Sequence, residues 1–209
     1  MEKRKSMKAL TGLVVVLGFE LFLGGAAAQA GVVVNVVPAT QQMELGNPAV
    51  FAIDISGLGN GVALGVFDIN LSFDPTLLVL NTVTFGDPIL GDQLNIDGFG
   101  PISSDTPGAG TVELWELSLD PAADLLASQA SAFTLATLSF NTSALGTSRL
   151  GLTVNSLGDE NGASLAAVLG GGQVQVTPEP TTWLLLACGL AGLGGAAWRR
   201  DRLAAGPRG

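Results

Sequence analysis

The chain contains no histidine and no tyrosine, and its one cysteine, Cys188, lies in an apolar run near the C-terminus. Between Gly31 and Val176 there is no lysine either, and Arg149 is the only basic residue. These absences exclude whole classes of chemistry. Histidine-activated serine or cysteine nucleophiles, His/Cys zinc sites and Schiff-base lysines all need residue types that this segment lacks. One cysteine permits no intrachain disulfide, so the stability of the segment must come from its core. Of the 18 acidic residues, Glu2, Glu20, Glu179 and Asp201 fall in the terminal segments, which leaves fourteen between Gly31 and Val176. Such an acidic surface repels phosphate backbones, so nucleic acid is excluded as a partner, while divalent cations and neutral polysaccharides are not.

The remaining route to catalysis is a pair of carboxylates. Glu113 and Glu116 stand on either side of Trp115 in Thr111-Val112-Glu113-Leu114-Trp115-Glu116-Leu117, and glycoside hydrolysis uses two carboxylates at one sugar. In an extended strand, however, residues three apart point to opposite faces. The expectation is therefore no enzyme.

Both termini read as targeting segments. Lys3, Arg4, Lys5 and Lys8 precede an apolar stretch from Ala9 to Leu23, and Ala28-Gln29-Ala30 supplies small residues for cleavage before Gly31, with cleavage after Ala28 as the alternative. That is the layout of a secretory signal over residues 1–30, with Glu20 as its one discordant charge. At the other end, Thr177-Pro178-Glu179-Pro180 is followed by an apolar run from Thr181 to Trp198 and then by Arg199, Arg200 and Arg202. The run is near the lower length limit for a membrane helix, and the arginines favour a cytoplasmic C-terminus. The prolines hold the Pro-Glu-Pro stretch extended and outside the helix. Within the run, Ala187, Ala191 and Gly195 form a small-residue ridge of the kind that lets helices approach.

Residues 31–176 read as one β domain. Phe51, Ile53 and Ile55 alternate with Ala52, Asp54 and Ser56, and Phe67, Ile69, Leu71 and Phe73 alternate with Asp68, Asn70 and Ser72. Period two predicts strands with one wet face. Strands are also expected over Val32 to Val37, Leu77 to Phe85, Val112 to Leu119, Phe133 to Phe140, Leu150 to Val154 and Gln173 to Val176, separated by Gly/Pro turns. One short helical turn is expected over Pro121 to Gln129, with Asp120 as its cap. The fold class is all-β, an antiparallel sandwich, flanked by a signal helix and a C-terminal transmembrane helix.

Ile69-Asn70-Leu71-Ser72-Phe73-Asp74-Pro75-Thr76-Leu77-Leu78 resembles the hydrophobic-x-Phe-Asp-Pro-x-x-Leu segment of cohesin-like domains, and Phe133 to Phe140 resembles a later strand of the same domains. The resemblance implies a jelly-roll β-sandwich and a dockerin-like protein as partner. The tail resembles the PEP-CTERM sorting signal, with Thr177 in place of the usual valine, and carries its sorting motif at Pro178, Glu179, Pro180, Arg199, Arg200 and Arg202. That resemblance implies an exosortase as partner, a membrane protease-transpeptidase of Gram-negative bacteria that make exopolysaccharide. It also implies an inner-membrane precursor, cut near Pro178 to Pro180, that ends at the cell surface or in the extracellular matrix. The functional expectation is adhesion, protein interaction or polysaccharide association. The alternative is a carbohydrate-binding module with Trp115 as its contact. No cofactor is expected; calcium is the one metal considered, at Asp159, Glu160 and Asn161, where a plain acidic hairpin turn is the competing reading.

Overall fold

The computed structural model describes residues 31–178 and 188–191. The signal segment, with Ala28 and Ala30, and most of the tail, with Glu179, Pro180, Arg199, Arg200 and Arg202, lie outside the described residues. The first strand begins at Val32, one residue after the expected mature terminus at Gly31.

Within residues 31–178 there are eleven strands and one short helix: β1 Val32–Val37, β2 Thr40–Glu44, β3 Pro48–Ser56, β4 Leu64–Ser72, β5 Leu78–Phe85, β6 Ile102–Pro107, β7 Thr111–Leu117, α1 Ala122–Ser128, β8 Ala132–Thr142, β9 Gly146–Asp159, β10 Ala167–Gly170 and β11 Gly172–Thr177. They form a five-stranded sheet in the order β10-β1-β3-β8-β5 and a six-stranded sheet in the order β2-β11-β9-β4-β7-β6. The pairing is antiparallel except at two edges, where β10 runs parallel to β1 and β2 parallel to β11.

The alternating residues sort as period two requires. Phe51, Ile53 and Ile55 of one sheet meet Phe67, Ile69 and Leu71 of the other, all fully buried in one core. Three strands escaped the sequence pattern: β2, β6 and β10. β2, β6 and β10 are edge strands, and β6 is exposed along its whole length. An edge strand without a buried face has no hydrophobic period to read, and the Pro107 that ends β6 is tolerated because an edge has free backbone donors anyway.

The Phe-Asp-Pro segment is the corner at which the chain passes from β4 in one sheet to β5 in the other. Phe73 packs edge-on against Phe140, with ring centroids 5.0 Å apart, and its amide donates to the Gly110 carbonyl. The Asp74 amide donates to the fully buried Ser148 Oγ at 2.9 Å. The Asp74 carbonyl accepts from the amides of Leu77 and Leu78, while its Oδ1 accepts from both the amide and the hydroxyl of Thr76. Gly110, at φ 82°, admits no side chain, because a Cβ there would meet Pro75 and the Phe73 carbonyl at 2.9 Å.

One local expectation fails. Asp120 does not cap α1: the N-cap is Pro121, without a side-chain cap bond. Asp120 Oδ2 instead accepts from the amides of Ile96 and Asp97, pinning the long β5–β6 connection. A carboxylate beside two unpaired loop amides finds better donors there than at a two-turn helix.

Loops 45–47, 73–77, 108–110 and 143–145 gather at one pole of the sandwich, together with the end of β11. Cross-links from Gly46 to Thr142, Ser143 to Leu77 and Phe73 to Gly110 hold them together. The start of β1 lies at the other pole, with the long loop 86–101 and α1, where Gln129 bridges Leu64 and Gln93. Chain entry and exit are thus at opposite poles.

Two substitutions test this packing. Phe140→Ala is expected to cost about 3–5 kcal/mol through the cavity it opens. Ser148→Ala is expected to cost about 1–3 kcal/mol, because it leaves a part-buried amide without an acceptor. Urea denaturation of the domain reads both.

Candidate functional site

The outer face of the six-stranded sheet is built by the outward residues of β4, β7, β9 and β6. On β7, Val112, Leu114 and Glu116 point into the core, so Trp115 shares the outer face with Glu113 and Leu117. Trp115 is half-buried, flanked across the ladder by Asp68 of β4 and Ser104 of β6. One step along, Glu113 lies between Asn70 and Thr106. Asp68 is held in place by the Asn155 side chain, which donates to it at 2.9 Å. The result is a polar platform with one aromatic ring. It is separate from an apolar cleft of about 310 Å³ between Phe73, Leu78 and the 107–110 turn, and from a polar cleft of about 350 Å³ beside Asp54 and Asp87.

Glu113 and Glu116 lie on opposite faces of β7, the first partly exposed and the second 1% exposed. They cannot flank one glycosidic bond. Glu116 sits inside the sandwich beside Asp92, and its Oε1 has no hydrogen-bond partner. Burial, reinforced by the charge of Asp92, raises its pKa from 4.5 to about 8. The neutral acid donates toward Asp92, whose own Oδ1 accepts from the Leu94 amide. The sequence pattern put Glu116 in one alternating set with Val112 and Leu114 but did not fix which face of the strand is buried.

Most other carboxylates in the loops serve as acceptors for local backbone. Asp87 accepts from the amides of Leu90, Thr134 and Ile89, which hold its carboxyl below the ordinary range. The hydroxyl and amide of Thr76 do the same for Asp74. Asp97 moves the other way, raised by partial burial and by Asp124 and Asp120 nearby.

The 159–163 segment is a turn. Asp159 Oδ1 accepts from the amides of Asn161 and Ala163, Glu160 Oε2 accepts from the Ala63 amide, and Glu160 Oε1 accepts from the Asn161 side chain. Its oxygens are thus directed at amide donors. Among the described residues no group of three His, Cys, Asp or Glu side chains is placed to hold a metal ion.

The end of β11 is the other functional element. Val176 is buried and pairs with Met43 and Gly146, Thr177 Oγ1 donates to the Met43 carbonyl, and the Thr177 carbonyl accepts from the Leu45 amide at 3.0 Å. Pro178 is exposed immediately beyond. Residues 188–191, inside the apolar run, are helical and exposed. Among the described residues no helix is long and apolar enough to cross a membrane.

Residues 176–200 match the PEP-CTERM protein-sorting motif. The chain carries a PEP-CTERM sorting signal. Its motif opens on two residues that belong to the folded sheet. No curated protein matches the chain in sequence. Among solved structures, the sandwich is similar to the seventh ScaB type I cohesin of Pseudobacteroides cellulosolvens, at 17% identity and a TM-score of 0.57, over 72% of this chain and 94% of that one. The sixth cohesin of Acetivibrio cellulolyticus scaffoldin B, solved with a Cel5 dockerin, gives 16% identity and a TM-score of 0.55 over 70% and 99% of the two chains. A non-cellulosomal cohesin from the archaeon Archaeoglobus fulgidus gives 14% and 0.53 over 71% and 92%. The fold is therefore that of a cohesin-like β-sandwich, and the PEP-CTERM signal makes the chain an exported, membrane-anchored precursor sorted to the cell surface.

The raised pKa of Glu116 sets the sign of a pH dependence. The native state keeps a proton that the unfolded chain releases, so stability falls as pH rises from about 4.5 to about 8. The slope reaches about 1.4 kcal/mol per pH unit at its steepest. Glu116→Gln is expected to flatten the decline measured by urea denaturation at pH 5 and pH 8. An equal decline in the variant would assign it to another group.

Proposed function

We propose that this is a non-enzymatic surface protein whose cohesin-like sandwich binds another macromolecule outside the cell after an exosortase has removed its membrane anchor. The observation that carries the reading is the junction at Thr177: among the described residues the last backbone hydrogen bond of the sandwich falls there, one residue inside a sorting motif that opens at Val176. Cleavage near Pro178, Glu179 and Pro180 then removes the apolar segment and Arg199, Arg200 and Arg202 without touching the sheet. In this reading residues 1–30 are the signal peptide, cut between Ala30 and Gly31. Residues 31–176 are the ectodomain, and 177–209 comprise the hinge, the membrane helix over 181–198 and a basic cytoplasmic tail. The host is a Gram-negative bacterium that secretes exopolysaccharide.

A protein partner is the first choice. Several of the similar cohesins were solved with a dockerin bound, and the outer sheet face around Trp115 offers polar side chains from the neighbouring strands β4 and β6. The scarcity of basic residues, with Arg149 alone against fourteen carboxylates, makes a basic partner surface complementary. Polysaccharide association is the second reading. It is favoured by the outward placement of Trp115 among polar neighbours, since an aromatic face with hydrogen-bonding groups around it suits a sugar ring.

Fractionation of the native bacterium with and without its exosortase tests the sorting part. The account expects a shortened, surface or released form in the first strain and an anchored precursor in the second; a full-length inner-membrane form in both would end it. For the ectodomain, affinity electrophoresis in the host exopolysaccharide separates the two readings. A retarded domain whose retardation is lost in Trp115→Ala favours polysaccharide, and an unretarded one leaves the protein partner.

A further inference from the structure

The strand-to-tail junction leaves almost no free chain between the sandwich and the apolar segment. Among the described residues Thr177 is the last one tied to the sheet, through the Leu45 amide and the Met43 carbonyl, and the apolar run begins at Thr181. Four residues of extended chain span at most about 14 Å. The headgroup layer on each side of a bilayer is itself about 5–8 Å thick. The exit pole of the sandwich is therefore kept within several ångströms of the lipid headgroups for as long as the anchor is uncut.

The side chains at that pole suit such a neighbour. Leu45 is 38% exposed and Leu145 is 50% exposed. Both are adjacent to the junction. The Leu45 amide is bonded to Thr177, and Leu145 immediately precedes Gly146, which pairs with Val176. The turn that carries Leu45 is stiffened from behind, because Thr142 Oγ1 accepts from the Gly46 amide and donates toward the Asn47 carbonyl. Lysine and histidine are missing from the domain, and its one basic residue, Arg149, is exposed on β9 three residues from Gly146, while Glu44 at the end of β2 and Asp74 on the 73–77 loop lie at the same pole. With one cation against two carboxylates, contact with lipid here is expected to rest on apolar side chains and not on attraction to anionic headgroups.

We infer that Leu45 and Leu145, on the 45–47 and 143–145 turns, seat the precursor on the outer surface of its own membrane, with the opposite pole directed away from the bilayer. The inference rests on the reading of residues 181–198 as the membrane helix. In this orientation the platform around Trp115 stands at the side of the domain and stays accessible before processing.

The test uses the exported full chain, residues 31–209, reconstituted in phosphatidylcholine/phosphatidylethanolamine nanodiscs and carrying one bimane label. The label is placed in turn at native Cys188 and, in a Cys188→Ser background, at Leu145→Cys, Leu45→Cys and Phe99→Cys, the last in the loop of the far pole and 70% exposed. The three introduced cysteines replace exposed side chains, and two independent sites at the exit pole guard against one that perturbs its turn. Cys188 is expected to be quenched by acyl-chain nitroxide lipids. Labels at 145 and 45 are expected to be quenched by headgroup nitroxide lipids several-fold more than the label at 99, equally at low and high salt. Quenching at 188 with equal, weak quenching at 145, 45 and 99 would overturn the seating while leaving the anchor intact. No quenching at 188 would remove the anchor reading and the seating with it. Loss of the 145 and 45 signals in high salt would also overturn the inference, because it would make the contact electrostatic.

Discussion

The structure depends on the burial of two apolar faces against each other, with no covalent cross-link to help. Phe51, Ile53 and Ile55 from one sheet and Phe67, Ile69 and Leu71 from the other form a single core, and each survives only if the chain changes sheets at the right residues. The corner at Phe73, Asp74 and Pro75 makes one such change. It satisfies its own backbone through Ser148, Thr76 and Gly110 while adding a ring to the Phe140 cluster. A corner that left those amides unpaired would lose by desolvation much of what the phenylalanine gains by burial.

The acidity of the domain is largely absorbed by the same backbone accounting. Asp74, Asp87, Asp120 and Asp159 each accept from two or three nearby donors, most of them loop amides, and so do for irregular chain what a ladder does for strands. Carboxylates suit this task because an ionised oxygen accepts strongly and several donors can share one side chain. Glu116 is the exception, placed on the inner face of β7 and kept neutral by its surroundings. It faces Asp92, whose Oδ1 accepts from the Leu94 amide of the far-pole loop.

Much of this was legible in the sequence, and the limits have physical causes. β1 appears at its predicted bounds, and Phe67, Ile69 and Leu71 face inward as their alternation with Asp68, Asn70 and Ser72 requires. The Phe-Asp-Pro corner was readable because proline and aspartate declare a turn by their own geometry. β2, β6 and β10 were not readable, since edge strands carry no buried period, and Asp120 was misassigned because its true donors lie over twenty residues away. The face of Trp115 followed only once the inward set of β7 was known. The burial of Glu116 was visible as a position but not as a consequence, because a pattern of alternation does not reveal how deep a strand end lies.

The central claim is that a complete sandwich ends at Thr177 and that the sorting machinery cuts immediately beyond it. β11 lies between β9 and the edge strand β2 and stops before an exposed proline, so the fold ends at Thr177, two residues into the matched motif. Mass spectrometry of the C-terminal peptide from protein recovered outside the native cells tests this most directly. The account predicts a chain ending within residues 177–180, with β11 intact and residues 181–198 gone. A recovered chain that still contains the apolar segment, or one that ends inside β11, would contradict it.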